Sequence, residues 1–320
     1  MKMAKISVVM PTYNEAKLIA GTIGEITLAA ESLFRDNYEI IVVDDHSCDD
    51  TFSIVKEIPN KKVKCIRLSR NSGSHIALRA GLSQVKGDVT LCISADGQDD
   101  PSCLKEMVDR WRDGCKVVWA LRSSRNNENW LVRAWAKLFY GILLRFVDRH
   151  NLNVDISRAT FFLLDRKVVE AVNACLEHST SLFGLISWFG FNQGTVEFER
   201  RQRRLGKSKW NFRKRLNLAS DWIVAFSGLP LKLMFLIGII IASFGFLYAI
   251  FIIILAIKGR PATGWSSTMV VILVLGGIQM IMLGIIGEYL WRNIEESRNR
   301  PLYFIEKDTS ETQISNQNQC

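Results

Sequence analysis

The chain has 320 residues, 48% of them hydrophobic and 23% charged, enough to bury a sizeable core and too apolar for a disordered or fibrous protein. Lys and Arg total 41 against 32 Asp and Glu, a formal charge of +9, and the nine cations between Arg200 and Arg215, with no acid among them, account for that excess (+9 − 9 = 0). Such a concentration excludes general nucleic-acid binding and points to one anionic partner surface.

The opening segment, MKMAKISVVMPTYNE, runs straight into a strand-like stretch without the apolar region or cleavage site of a signal peptide, so the front of the chain is expected in the cytoplasm. The first third then alternates. Apolar, β-branched runs at Ile6–Met10, Ile40–Val43, Val63–Leu68, Val89–Ile93 and Val117–Trp119 each end in a polar loop, and most are followed by a helical stretch. This is βαβ order, which predicts an α/β fold with a mostly parallel sheet and helices on both faces. Residues 121–200 are mixed; NWLVRAWAKLFYGILLRF has the aromatic and basic character of an amphipathic helix at a membrane surface.

Composition then changes sharply. Leu233–Ile257 and Pro261–Gly287 carry no charge, and each is long enough for a hydrocarbon core of about 30 Å. They predict a transmembrane hairpin with spans of about 231–257 and 266–290, within a segment 216–292 that follows a cytoplasmic domain over 1–215 and precedes a polar cytoplasmic tail over 293–320. Basic residues before the first span, with Arg292, Arg298 and Arg300 after the second, outweigh Lys258 and Arg260 in the link, so both flanks are expected in the cytoplasm. The seven cysteines are scattered, without a CxxC pair, and suit reduced thiols of a cytosolic domain. The four histidines, His46, His75, His150 and His178, form no ligand pattern and are expected in loops or on the surface.

In parallel sheets ligands gather at the C-terminal ends of strands. The loops expected there are PTYNE (Pro11–Glu15), DDHSCDD (Asp44–Asp50), SRNSGSH (Ser69–His75) and SADGQDDP (Ser94–Pro101). Singly each suits a helix cap: Asn14 before one helix, the acids of the second before another near Thr51. Together they place several carboxylates on one edge, where mutual repulsion calls for a cation or hydrogen-bond donors. A divalent ion with a nucleoside diphosphate satisfies that, since Mg²⁺ or Mn²⁺ takes one or two carboxylates and completes its shell with phosphate oxygens and water.

The runs VVMPTYNEAKLI, IIVVDDHSCDDT, LSRNSGSHIALRAGLSQVKGD and ISADGQDDP resemble, in order and spacing, the nucleotide-sugar domain of family 2 inverting glycosyltransferases, which has the GT-A fold. With FFLLDRKVVEAV, LISWFGFNQGTVEFERRQRRLGKSKW and the two spans, the chain is similar to the polyprenyl-phosphate glycosyltransferases, the group of dolichyl-phosphate mannose synthase and the bactoprenol glucosyltransferases, from about residue 5 to 300.

That resemblance implies that Pro11, Tyr13, Glu15, Asp44 and Asp45 hold the nucleotide with Asp96, and that Asp96 and Gln98 hold Mg²⁺ or Mn²⁺. Two departures stand in the metal motif: Ser94 replaces its first acid, and Gly97 a usual Leu. Asp99 and Asp100 are then expected to cap the helix after Pro101. The resemblance also implies that RRLGKSKW, with Arg203, Ser208, Lys209 and the preceding Arg200, lies near the acceptor phosphate, and that Arg122 and Arg133 belong there too. The plainer alternatives are a juxtamembrane basic cluster attracting anionic lipid and, for the two arginines, an amphipathic helix surface. Relatives carry an acid shortly before the FxLLDR motif, where this chain has Thr160; Asp155 is the candidate base and Asp165 is expected to be structural.

The implied activity is inverting transfer of one sugar from a nucleotide-diphosphate sugar, UDP favoured, to a polyprenyl phosphate at the cytoplasmic face of the membrane, for cell-envelope glycan. Catalysis would draw on Asp96, Asp155, Arg122, Arg133 and Arg203, with no nucleic-acid partner, and two short spans suit assembly into a homo-oligomer. The alternatives are a processive polysaccharide synthase, against which Gln202 lacks a following RW pair, and a silent membrane scaffold that keeps the nucleotide fold.

Overall fold

The computed structural model describes residues 4–123, 158–175, 177, 181–199, 201, 229–258 and 264–309. They divide into two compact units, one built on a sheet and one on two long helices.

The sheet unit contains, among the described residues, strands β1 (Ile6–Thr12), β2 (Tyr38–Asp44), β3 (Val63–Leu68), β4 (Val89–Cys92), β5 (Val117–Arg122), β6 (Ala159–Asp165), β7 (Gln193–Phe198) and β8 (Ile305–Asp308), in the order β7-β5-β6-β4-β1-β2-β3-β8. Its helices are α1 (Ile19–Phe34), α2 (Thr51–Lys56), α3 (Ser74–Leu82), α4 (Leu104–Arg112), α5 (Arg166–Ala174) and α6 (Leu182–Trp188). Strand β2 is buried at every position, as befits a parallel strand covered on both faces. Along β1, Ile6, Val8 and Met10 join a core with α1, α2 and α4, while Val9 joins one with α3, α5 and α6, the period-2 alternation of a pleated strand. Helix α1 buries Ile19, Ile23, Ile26, Ala30 and Phe34, one face at helical spacing.

The sheet is mixed, with most of its strands running in one direction. Pairs β1–β2, β1–β4, β2–β3 and β5–β7 are parallel, but β6 lies antiparallel between β4 and β5, and β8 antiparallel to β3. Because β6 opposes both neighbours, β5 runs in the same direction as β4. Within the segment 293–320, expected as a polar tail, Ile305–Asp308 forms the edge strand β8.

The second unit holds α7 (Leu229–Ile257) and α8 (Trp265–Ser297), which cover the two expected spans. Among the described residues one stretch, Val274–Ser297, is long and apolar enough to cross a membrane; α7 contributes a shorter apolar stretch, Leu236–Tyr248.

Candidate active site

Parallel register brings the ends of β1, β2 and β3 level, with Thr12 opposite Asp44 and Asp44 opposite Arg67, and β4 pairs with β1 up to Val9 opposite Cys92. The four polar loops therefore leave from one edge. The ends of β5 at Arg122 and β7 at Phe198 lie on that edge too, because both strands run with β4.

The first two loops are stapled together. Asn14, in the left-handed region at φ 54°, donates its backbone N–H to Ser47 Oγ at 2.9 Å and accepts from Cys48 N at 2.8 Å through its side chain. It thus joins loops instead of capping α1, whose N-cap is Leu18. Glu15 N donates to Thr51 Oγ1 at 3.0 Å and Ala16 N to Asp49 Oδ2 at 3.2 Å. Burial pushes the Asp49 carboxyl up, but its bonds from Thr51 and Ala16 outweigh that and hold it below the ordinary range. Pro11, Tyr13 and Glu15 are half-buried along this seam.

Asp44 and Asp45 face inward. Asp44 is fully buried; its Oδ1 accepts from Ser47 N at 3.0 Å, and Arg67 Nη1 stands 3.4 Å from Oδ2. Asp45 accepts from the N–H groups of Ser72 at 2.7 Å and Gly73 at 2.8 Å. Burial raises its pKa, and these two bonds only partly oppose the rise. Both carboxylates therefore organise the loops from within.

In the fourth loop Asp96 is half-buried and Gln98 is 8% exposed. Ser94, at the position of the motif's first acid, has its hydroxyl 2.8 Å from Asp96 Oδ1 and 2.7 Å from Asp99 Oδ2. Asp96 Oδ1 also accepts from Gln98 N at 3.1 Å. Gly97 sits at φ 67°, where a β-carbon is strained and glycine is not; this is why the loop takes a glycine there. The two acids that follow differ. Asp100 caps the short 3₁₀ turn Pro101–Cys103 ahead of α4, accepting from Ser102 N at 2.9 Å, as expected. Asp99 does not cap: it is 5% exposed and bonded to Ser94.

Arg201, from the basic run, was not singled out by sequence. Its N–H donates to Gln98 O at 3.1 Å, and its guanidinium holds Glu25 Oε2 at 2.6 Å and Asp100 Oδ1 at 3.0 Å. Arg201 is therefore fastened to the acidic loop. Arg122 is half-buried, and its carbonyl accepts from Arg158 Nε and Nη2 at 3.0 and 2.7 Å. Asp165 ends β6, antiparallel to β4, and so lies at the opposite edge; it caps α5 through Lys167 N and accepts from Trp111 and Lys116, a structural role as expected. Asp155, Arg133, Arg200, Arg203, Ser208 and Lys209 lie outside the described residues, as do Gln202 and Cys320. His75, expected as an ordinary loop or surface side chain, lies in the first turn of α3 and packs edge-on against Phe183 with ring centroids 5.7 Å apart, and burial lowers its pKa.

Among the described residues no group of three or more His, Cys, Asp or Glu side chains is arranged to hold a metal ion. The loop does fit a cation that comes with a diphosphate: one partly exposed carboxylate, Asp96, with Gln98 beside it, is the small protein share that Mg²⁺ or Mn²⁺ takes in such sites.

Known proteins share both parts of the chain. Residues 7–172 match the model of glycosyl transferase family 2, and residues 229–292 match the GtrB C-terminal hairpin. An uncharacterized glycosyltransferase of Synechocystis is 40% identical, the alignment covering 94% of each chain. The SfII prophage-derived bactoprenol glucosyl transferase of Shigella flexneri is 35% identical over 95% of this chain and 98% of its own. Among solved structures, the mannosyl-3-phosphoglycerate synthase of Rubrobacter xylanophilus superposes with a TM-score of 0.50 at 18% identity, covering 69% of this chain and 72% of that one, a likeness of fold.

Proposed function

The chain belongs to glycosyl transferase family 2, and on that premise we propose that it transfers one sugar from a nucleotide-diphosphate sugar, UDP favoured, to a polyprenyl phosphate at the cytoplasmic face of the membrane. The observation that carries the reading is the link made by Arg201: this cation of the basic run is bonded to Gln98 O and to Asp100, on the same loop as Asp96, which supports a phosphate-binding role for the run beside that loop. The similarity to a bactoprenol glucosyl transferase over nearly the whole chain supports the acceptor class.

In this reading Tyr13 and Glu15 line the nucleotide cleft, and Asp44 and Asp45 hold its walls. Asp96 and Gln98 are the residues that would hold Mg²⁺ or Mn²⁺, which when bound offsets the charge of the diphosphate leaving group. A lipid monophosphate has a second pKa near 6, so its oxygen is already anionic at neutral pH. That oxygen attacks the anomeric carbon as the bond from carbon to diphosphate oxygen breaks; the nucleoside diphosphate departs, and the configuration inverts. The protein's work is alignment and charge stabilisation, assigned to Arg122, Arg133, Arg200, Arg203, Ser208 and Lys209, with Asp155 as candidate base.

The second unit supports anchorage. Phe244, Phe246 and Met280 are 70%, 68% and 70% exposed, an apolar surface suited to lipid. We place α7 and α8 as a two-span hairpin in the cytoplasmic membrane, with 1–215 and 293–320 in the cytoplasm, and expect several copies to associate through it. The product would enter cell-envelope glycan.

The test is incubation of the full chain in detergent with undecaprenyl phosphate and a panel of UDP- and GDP-sugars plus Mg²⁺ or Mn²⁺, followed by mass spectrometry of the lipid. A glycosylated lipid phosphate is expected with at least one donor; none with any donor overturns the reading. A longer polymer would favour a processive synthase instead.

A further inference from the structure

We propose that the segment Tyr303–Thr309 is a positioning element of the nucleotide site, acting through Glu306 on Arg67 and through Arg67 on the turn Asp44–Ser47. The inference rests on the proposed function for its consequence, nucleotide affinity, but not for its geometry.

The segment is fastened along the sheet edge. Tyr303 OH bonds Ser83 Oγ at 2.8 Å, and Ser69 N donates to Phe304 O at 2.9 Å. Strand β8 pairs with β3, and Cys65 N donates to Thr309 Oγ1 at 2.9 Å. These contacts place Glu306 over the end of β3, where its Oε2 lies 3.2 Å from Arg67 Nε and 3.6 Å from His46 Nδ1.

Arg67 then spends its other two nitrogens on the nucleotide loop. Nη2 donates to Ser47 O at 3.0 Å, and Nη1 lies 3.4 Å from Asp44 Oδ2. A guanidinium is planar, with its donors in a fixed fork, so anchoring Nε fixes the direction of the other two. The Asp44 side chain is 0% exposed, and its Oδ2 makes no hydrogen bond among the described residues. A buried carboxylate oxygen needs its counter-charge, so displacement of Arg67 disturbs Asp44. Ser47 accepts from Asn14 N, which carries the disturbance into the Tyr13–Glu15 seam. His46, at φ 61° and with Nδ1 3.1 Å from Leu68 O, ties the same turn to the end of β3.

The test uses the full chain in detergent and three variants, Glu306→Ala, Arg67→Met and, as control on the neighbouring strand β3, Lys64→Ala. Glu306→Ala keeps the backbone pairing of β8. Hydrogen exchange of the amides 44–51 is expected to quicken in the first two variants and not in the control. The Kd for UDP or GDP with MnCl₂ is expected to rise about 5-fold in Glu306→Ala, the scale of a modest coupling between sites, and further in Arg67→Met, while the KM for undecaprenyl phosphate stays put. Unchanged exchange over 44–51 in Glu306→Ala, or an equal change in Lys64→Ala, overturns the inference, as does a rise in acceptor KM matching the rise in nucleotide Kd. A wild-type chain that binds neither nucleotide overturns the proposed function, and the exchange comparison then decides the inference by itself.

Discussion

Ser94 and Asp96 differ by two positions and should fail in opposite ways when replaced. The Ser94 hydroxyl stands 2.8 Å from Asp96 Oδ1 and 2.7 Å from Asp99 Oδ2, and with one proton it donates to one carboxylate at a time. Ser94→Ala removes a hydrogen bond to a charged group, a loss of about 1.5–3 kcal/mol. At about 2–4 °C per kcal/mol for a unit of this size, the melting temperature should fall by about 3–12 °C. Turnover of the molecules still folded should change little, since the lost group is neutral and a water can take its place. Asp96→Asn is isosteric and its amide oxygen still accepts from Ser94 and from Gln98 N, so stability should move by about 1 kcal/mol. Its lost charge is the one that would hold the cation, and turnover should drop about 10²- to 10³-fold, the scale of removing one group that stabilises transition-state charge. Sugar transfer to undecaprenyl phosphate at a temperature where both variants are folded, set beside thermal unfolding in detergent, separates the two. Near-normal turnover in Asp96→Asn, or equal damage from Ser94→Ala, would refute the assignment of the cation to Asp96.

Sequence exposed the parts of the molecule that repeat a residue type and concealed those that depend on a single distant partner. Strand β2 was legible because burial on both faces calls for the unbroken apolar run Ile40–Val43 at its centre. The direction of β6 was not, since ATFFLLD reads the same parallel or antiparallel. Strand β8, IEKD, is largely exposed and carries no apolar signal; what fixes it is backbone pairing with β3 and Glu306 reaching Arg67 across 239 residues. At the site, the density of acids in SADGQDDP gave away the loop but not the division of labour within it. Capping and a buried hydrogen bond use the same residue type, so Asp99 and Asp100 looked alike although only Asp100 caps. Arg201 sat among nine cations, and its grip on Glu25, 176 residues away, marks it out only once the chain is folded.

Arg201→Ala should lower the melting temperature by only a few degrees, because its ion pairs are about a third exposed and worth about 1 kcal/mol or less each, yet raise the acceptor KM; Arg201→Lys should restore part of it. Gly81→Ala should destabilise by about 1–3 kcal/mol, because a β-carbon there would stand 2.3 Å from Val9 Cγ1 and 3.0 Å from Val43 Cγ2, a loss visible in urea unfolding. Among the described thiols Cys48, which is exposed, should react first with a maleimide in the native protein, while burial pushes Cys65 and Cys92 up and Cys103 up to about 12; mass spectrometry of the adducts gives the order. The same reagent applied outside intact cells should miss Cys48 and reach a Thr263→Cys variant if the hairpin is as proposed. The acid limb of stability should depend on Lys116. Burial pushes the Asp165 carboxyl up, but hydrogen bonds from Lys116 and Trp111 outweigh it and hold the pKa below the ordinary value; Glu39, bonded by Lys5 and Ser7 against its own burial, is lowered too. A carboxyl lowered in the folded state contributes stability above its unfolded pKa of about 4 and loses it as pH falls through the folded value. Asp45, raised by burial, works in the opposite sense, its contribution fading as pH rises through its folded pKa. In Lys116→Met the Asp165 carboxyl keeps its burial and loses its cation, so its folded pKa moves up. Urea midpoints between pH 3 and 7, followed by tryptophan fluorescence, should therefore lie lower in Lys116→Met than in the wild type at neutral pH and fall less on acidification, so that the two curves converge toward pH 3. Two curves that stay parallel across that range would mean that Asp165 does not draw its stability from Lys116.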